Sequence, residues 1–259
     1  MKKIILLGLV LFLSLPVVAE ATSIGGAETQ GQERLAVGMD VAFLLDKDLK
    51  FKSATGLLAT QEIKNVETDK GYQVMLKTSY GLLDNLDAYI KLGLADFEAE
   101  DDNYMLGIKW ADDIIDSSTD FAYGFGLKGK YELEEDWWVG CDLQYLRSKH
   151  EAKVTQDYVF GSTSTKYKSF VVQEWHIAPY IAKRINNFAP YFGVRYSDMR
   201  LKMKNPDAAL WLDDYKLEAD DNVGVFLGTD YEIDDNLVLN LEVRFIDEMA
   251  LSFGADYKF

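Results

Sequence analysis

From about residue 34 to its last residue, the chain alternates apolar and polar positions with period two. Leu35, Val37, Met39, Val41, Phe43 and Leu45 fall on one face of an extended segment, opposite Ala36, Gly38, Asp40 and Ala42. Between 121 and 131, Phe121, Tyr123, Phe125, Leu127 and Tyr131 oppose Ala122, Gly124, Gly126, Lys128 and Lys130. The final stretch sets Leu251, Phe253, Ala255, Tyr257 and Phe259 against Ser252, Gly254, Asp256 and Lys258. This period marks strands rather than helices. The pattern predicts spanning strands over about 33–53, 57–80, 86–97, 119–131, 137–149, 168–185, 189–203, 219–233, 236–246 and 249–259.

A soluble β-sandwich also alternates, because it buries one face of each sheet. Two features separate this chain from one. The non-apolar face carries glycines and charges of both signs at strand centres. The apolar face is rimmed by aromatics, among them Tyr72 and Tyr80, Phe121 and Tyr131, and Trp137 and Tyr145. Ten-residue strands with aromatic girdles at both ends are the pattern of a transmembrane barrel.

The first residues read differently. Lys2 and Lys3 precede an apolar run from Ile4 to Val18, and Ala19-Glu20-Ala21 fits a small-x-small cleavage site. That is the layout of an export signal over 1–21. Residues 22–33 then read as a short periplasmic linker, and 34–259 as one barrel domain. Past the signal, no apolar run has the length of a membrane-crossing helix. The single cysteine, Cys141, allows no disulfide within the chain. The net charge of −16 disfavours nucleic acid, whose phosphates call for Lys and Arg.

The export signal, the alternating strands, the short turns at 82–85 and 234–236, and the terminal Tyr257-x-Phe259 resemble bacterial outer-membrane β-barrel proteins of the small porin-like and OmpA-like type. The resemblance covers 34–259. It implies an all-β, closed antiparallel transmembrane barrel in the outer membrane of a Gram-negative-type bacterium. It also implies periplasmic termini and therefore an even strand count. Ten strands result if 98–119 is an extracellular loop; eight or twelve are the alternatives. The implied partners are outer-membrane lipid and lipopolysaccharide, and the barrel-assembly machinery, for which Tyr257 and Phe259 would act as assembly signal and aromatic anchor.

On this register the lumen receives Asp40, Lys77, Lys91, Lys128, Asp142, Glu174, His176, Arg184, Arg195, Asp230, Glu242 and Arg244. Eight-stranded barrels are filled by side chains and sixteen or more strands leave a channel, so a plugged or very narrow lumen is expected here. Candidate chemistry is sparse. Glu174 and His176 share a face and form the one His–carboxylate pair inside a strand. His150 reads as solvated loop beside Glu151. The carboxylates of Asp96, Glu98, Glu100, Asp101, Asp102, Asp112, Asp113, Asp116 and Asp120 crowd one region without the spacing of a calcium loop. The loop 148–168, with Tyr158, Phe160 and a Gly/Ser/Thr run, is a candidate adhesive surface. No cofactor, metal or catalysis is expected. The expected function is structural, adhesive or narrow-pore, with a porin-like channel and a His/carboxylate hydrolase as alternatives.

Overall fold

The computed structural model describes residues 23–55, 62–105, 108–158, 161–204 and 214–259. The export signal over 1–21 and Phe160 lie outside them. Twelve strands follow one another: β1 (Leu35–Thr55), β2 (Glu62–Leu83), β3 (Leu86–Met105), β4 (Ile108–Ser117), β5 (Asp120–Glu132), β6 (Trp137–Tyr158), β7 (Gly161–Lys183), β8 (Phe188–Lys204), β9 (Asp214–Ala219), β10 (Val223–Glu232), β11 (Leu237–Phe245) and β12 (Met249–Lys258). Every pairing is antiparallel.

Two rings are stacked on each other. The first runs β1-β2-β3-β5-β6-β7-β8-β10-β11-β12 and closes where β12 pairs with β1. It has the ten strands of the sequence expectation. Val37 lies opposite Tyr257 and Phe43 opposite Leu251, so the last strand seals the first as its alternation required. Closure leaves no unpaired edge in hydrocarbon. Its outer wall is apolar: Leu76, Ile90, Phe125, Phe192 and Leu227 are each half exposed or slightly more. On β5 the aromatic rims Phe121 and Tyr131 stand ten residues apart. That is ~34 Å of strand, or ~25 Å of membrane at a tilt of about 40°.

Four strands of the ten-ring stop at or near the upper rim. There β4 takes over from β5, pairing with β3 and β6, and β9 takes over from β10–β12, pairing with β1 and β8. The result is an eight-stranded ring of β1, β2, β3, β4, β6, β7, β8 and β9 standing above the membrane belt. This corrects two expectations. Residues 98–119 are the end of β3 and all of β4, and 148–168 is largely paired strand of the β6–β7 hairpin. Both segments are too polar outside to read as membrane strands, yet they alternate and bury an apolar face inside the upper ring.

The end opposite the extension carries the short turns. Asn186 between β7 and β8 and Glu135 and Asp136 between β5 and β6 adopt left-handed φ of 55°, 57° and 65°. Between β10 and β11, Asp234 caps the turn through the amides of Asn236 and Leu237. At the upper end, the β11–β12 turn folds Asp247 and Glu248 into the barrel while Ile246 faces outward.

Candidate functional site

Buried polar side chains converge in the lumen. It is filled at three successive levels, and inward positions of β8 show all three in order: Tyr191, then Arg195 and Ser197, then Met199, Leu201 and Met203.

The lowest level contains the chain's own N-terminal segment. Residues 22–33 were expected to be a periplasmic linker; residues 23–29 are instead folded up inside the barrel. Ser23, Ile24 and Ala27 are buried. Three lysines hold this plug by its carbonyl oxygens. Lys128 donates to Ile24 at 2.6 Å and to Gly26 at 2.5 Å, Lys77 to Gly25 at 2.9 Å, and Lys91 to Ser23 at 3.1 Å. The Ala27 amide donates to Asp230 at 2.8 Å, while Trp138 Nε1 and the Tyr180 hydroxyl donate to the Ala27 carbonyl. Gly25 and Gly26 have φ of +61° and +93°, and a Cβ would lie 2.8 Å from Lys77 Nζ at the first and 3.0 Å from Asp230 at the second. Only glycine meets both demands. The 12 residues from 22 to 33 hold one large apolar side chain, Ile24, and no alternation, so nothing in their order pointed to this seat.

The same lysines are paired sideways, Lys91 with Asp40 at 2.8 Å and Lys77 with Asp256 at 2.7 Å. Arg184 is the exception in the predicted set. It sits at the short-turn rim, partly exposed, on Glu28 of the plug and on Glu232 at 2.8 Å.

Beside and above the plug, Asp142 accepts from Tyr89 and lies 2.9 Å from His176 Nε2. Glu174 and His176 were expected as a pair, and each is engaged by a residue of another strand. Both residues face inward, but Glu174 is taken by Arg195 on β8 and His176 turns across to β6.

The middle level is an ion network. Arg195 joins Glu174 to Glu248, the latter at 2.5 Å. Glu248 also accepts from Lys47 at 2.8 Å and is ion-paired with Arg244, whose Nε lies 3.2 Å away. Glu242 accepts from the Tyr191 hydroxyl, and Asp247 from Ser197. Each charge is almost fully buried, which is tolerable only because each has an opposite partner. Lys47, Asp247 and Glu248 were missed from sequence. Strict alternation puts Lys47 outside with Leu45, but a bulge between Leu44 and Asp46 shifts the register and turns it inward. The adjacent Leu44-Leu45 doublet was the available signal. Asp247 and Glu248 belong to a turn, where alternation says nothing.

The top level is apolar. Leu49, Val66, Phe97, Ile115, Val154, Phe170, Met199 and Leu217 pack into one cluster inside the eight-stranded ring. His150, expected in solvated loop, is buried at its base, with Nε2 2.6 Å from Ser148 Oγ, Nδ1 2.8 Å from the Ser118 carbonyl and its ring against Phe170. The acidic residues line the β3–β4 hairpin, Asp101 opposite Asp113 and Asp102 opposite Asp112, with Lys109 between the latter two. Among the described residues, no group of His, Cys, Asp and Glu is arranged to hold a metal ion.

No family model matches the chain, and no curated protein matches it. Solved structures do. The outer membrane protease OmpT from Escherichia coli superposes with a TM-score of 0.50 at 12% identity, over 86% of this chain and 97% of that one. The translocator domain of the autotransporter NalP from Neisseria meningitidis gives 0.48 at 11%, over 90% and 91%. The outer membrane protein OprG from Pseudomonas aeruginosa gives 0.39 at 15%, over 90% and 99%. The chain has the closed antiparallel β-barrel fold of these outer-membrane proteins.

Proposed function

We propose that this barrel is a sealed, non-catalytic scaffold of structural or adhesive type rather than a pore. One observation carries the reading: the lumen is occupied in series by the N-terminal plug, the ion network and the apolar cluster. Any permeating solute has to displace a buried salt network and then an apolar core, and neither is a wettable path. In this reading the short turns and both termini face the periplasm, and the eight-stranded extension projects from the cell. The extension lifts the paired upper ends of β1, β2, β6, β7 and β8 well clear of the lipid, where they serve as contact surfaces.

The hydrolase alternative gains little from the geometry. Asp142 and His176 form a dyad, and one similar structure is a protease, but the likeness at 12% identity concerns the fold alone. The dyad lies between the plug and the ion network, so a substrate has no approach to it. Planar-bilayer recording on folded protein tests the proposal. Folded material is identified by a gel mobility that changes on boiling. Absence of single-channel steps is expected, and regular conductance steps from folded protein would overturn the sealed reading.

A further inference from the structure

Above the belt, the outer wall of the eight-stranded ring carries two charged rows of opposite sign on opposite sides. On one side Asp48 on β1 lies directly opposite Glu67 on β2, and Glu67 directly opposite Glu100 on β3. All three are exposed. On the other side Lys149 on β6 and Lys202 on β8 flank Val171 on β7, and Lys202 lies directly opposite Lys216 on β9. In the ring order β1-β2-β3-β4-β6-β7-β8-β9, β2 and β7 are four strands apart either way round, as are β3 and β8. The two rows therefore look away from each other across the ring. They also share a height. Leu94 on β3 and Tyr196 on β8 are exposed at the top of the belt, and Glu100 and Lys202 each lie six residues beyond them. That is ~20 Å of strand, or ~15 Å above the belt at a tilt of about 40°.

Neither row is neutralised by the described residues around it. The cations beside the acidic row are engaged elsewhere: Lys50 by Asp220, Lys52 by Glu218, and Lys109 by Asp102 and Asp112. Beside the basic row, Asp198 is engaged by Arg200. Asp48, Glu67, Glu100, Lys149, Lys202 and Lys216 make no ion pair among the described residues. Like charges directly opposite on neighbouring strands repel. Each row thus lacks what the other carries.

We propose that copies of this chain associate side by side in the membrane, the β1–β3 wall of one extension against the β6–β9 wall of the next. Lipid holds every copy with the same end up and at the same depth. The two rows then meet at one height, and only rotation about the membrane normal has to be fixed, so less freedom is lost than between freely tumbling molecules. Ile114, beside Glu100, and Val171, between Lys149 and Lys202, supply apolar contact within the rows. Because the two walls lie on opposite sides, each contact leaves one wall of each copy open. A head-to-tail contact of that geometry gives an open row of copies rather than a closed ring. The association needs the belt to lie in a membrane and does not need a sealed lumen, so single-channel steps leave it standing.

The test is disulfide trapping of the full folded barrel in lipid vesicles. In a Cys141→Ser background, Ile114→Cys marks the acidic wall and Val171→Cys the basic wall, and neither removes a charge. Mild oxidation of the double-cysteine protein is expected to give a ladder of dimers, trimers and longer species, while either cysteine alone gives almost none. Salt at about 1 M, which shortens the screening length to about 3 Å, is expected to suppress the ladder. Lys149→Glu, Lys202→Glu and Lys216→Glu together are expected to cut it at least tenfold, and adding Asp48→Lys, Glu67→Lys and Glu100→Lys to restore it. The restoration separates lost complementarity from damage to the barrel, and folded material is again identified by a gel mobility that changes on boiling. No ladder from the double-cysteine protein would overturn the proposal. So would a ladder indifferent to salt or to the first reversal, no recovery in the folded sixfold variant, or dimers from a single cysteine, which mark a two-fold contact instead.

Discussion

The ammonium of Lys128, on β5, lies 2.6 Å from the carbonyl oxygen of Ile24, 104 residues earlier in the chain. It contacts the carbonyls of Gly25 and Gly26 as well. A buried cation is thereby solvated by backbone, and the plug's backbone acceptors are satisfied by the barrel wall. Hydrogen bonds from charged donors are worth about 1.5–3 kcal/mol each, so one residue carries much of the plug's attachment.

Lys128→Met is therefore expected to free the plug while leaving the barrel closed. In a Cys141→Ser background, Ala27→Cys is expected to resist a water-soluble maleimide in the folded protein and to react readily once Lys128→Met is added. Slow labelling in both would show that the plug stays seated without the lysine.

Arg195 is the hub of the middle level, shared by Glu174 and Glu248. Arg195→Leu leaves two buried carboxylates short of a partner, and a loss of about 3–5 kcal/mol is expected. Urea unfolding of the barrel in lipid vesicles measures it. A change under about 1 kcal/mol would mean that Lys47 and Arg244 compensate.

Tyr89 covers Gly126, Tyr180 covers Gly140 and Tyr191 covers Gly228, each across a strand pair. A Cβ at Gly140 would lie 2.2 Å from the Tyr180 ring, whose hydroxyl also holds Ala27. Gly140→Val is expected to cost about 1–3 kcal/mol and to raise the reactivity of Ala27→Cys, because displacing the ring breaks the plug contact. Unfolding and labelling should change together; destabilisation with an unreactive Ala27→Cys would separate the ring from the plug.

Above the membrane belt, Asp48 sits near Asp46, Asp220 and Asp221. Partial desolvation, and then these three carboxylates, push its carboxyl above the ordinary value. A raised acid binds its proton earlier in the folded state than in the unfolded one. Its unfavourable contribution is thus present at neutral pH and fades as pH falls through the raised value. Asp48→Asn is expected to slow proteolysis of the extension at about pH 7 and to have little effect near about pH 4, where the unfolded group also protonates. A protease rate unchanged at pH 7 would refute this.

The membrane ring was legible because hydrocarbon acts on every outward residue alike. Leu251, Phe253 and Tyr257 had to face one medium, and Ser252 and Asp256 the other, so period two and the β1–β12 seam could be read from residue type alone, while the count of ten also needed the even number that the resemblance implies. The inward identity of Asp40, Lys91, Asp142, Arg195 and Arg244 followed from the same parity. Their partners did not. Glu174 meets Arg195, four positions along β8 from its own ladder partner Met199, through the reach of the arginine side chain, and which strand neighbours which is a property of the closed sheet.

The amino-acid order by itself determined the all-β class and the two faces of each spanning strand, since these depend on local alternation. The tertiary structure alone decided what fills the barrel. The plug has no periodicity, Lys47 points inward through a bulge, Asp247 and Glu248 enter from a turn, and β4 and β9 find their places only once the longer strands have risen past the rim. Each is a contact between distant parts of the chain, set by closure of the ring and by the requirement that buried charges and backbone groups be paired.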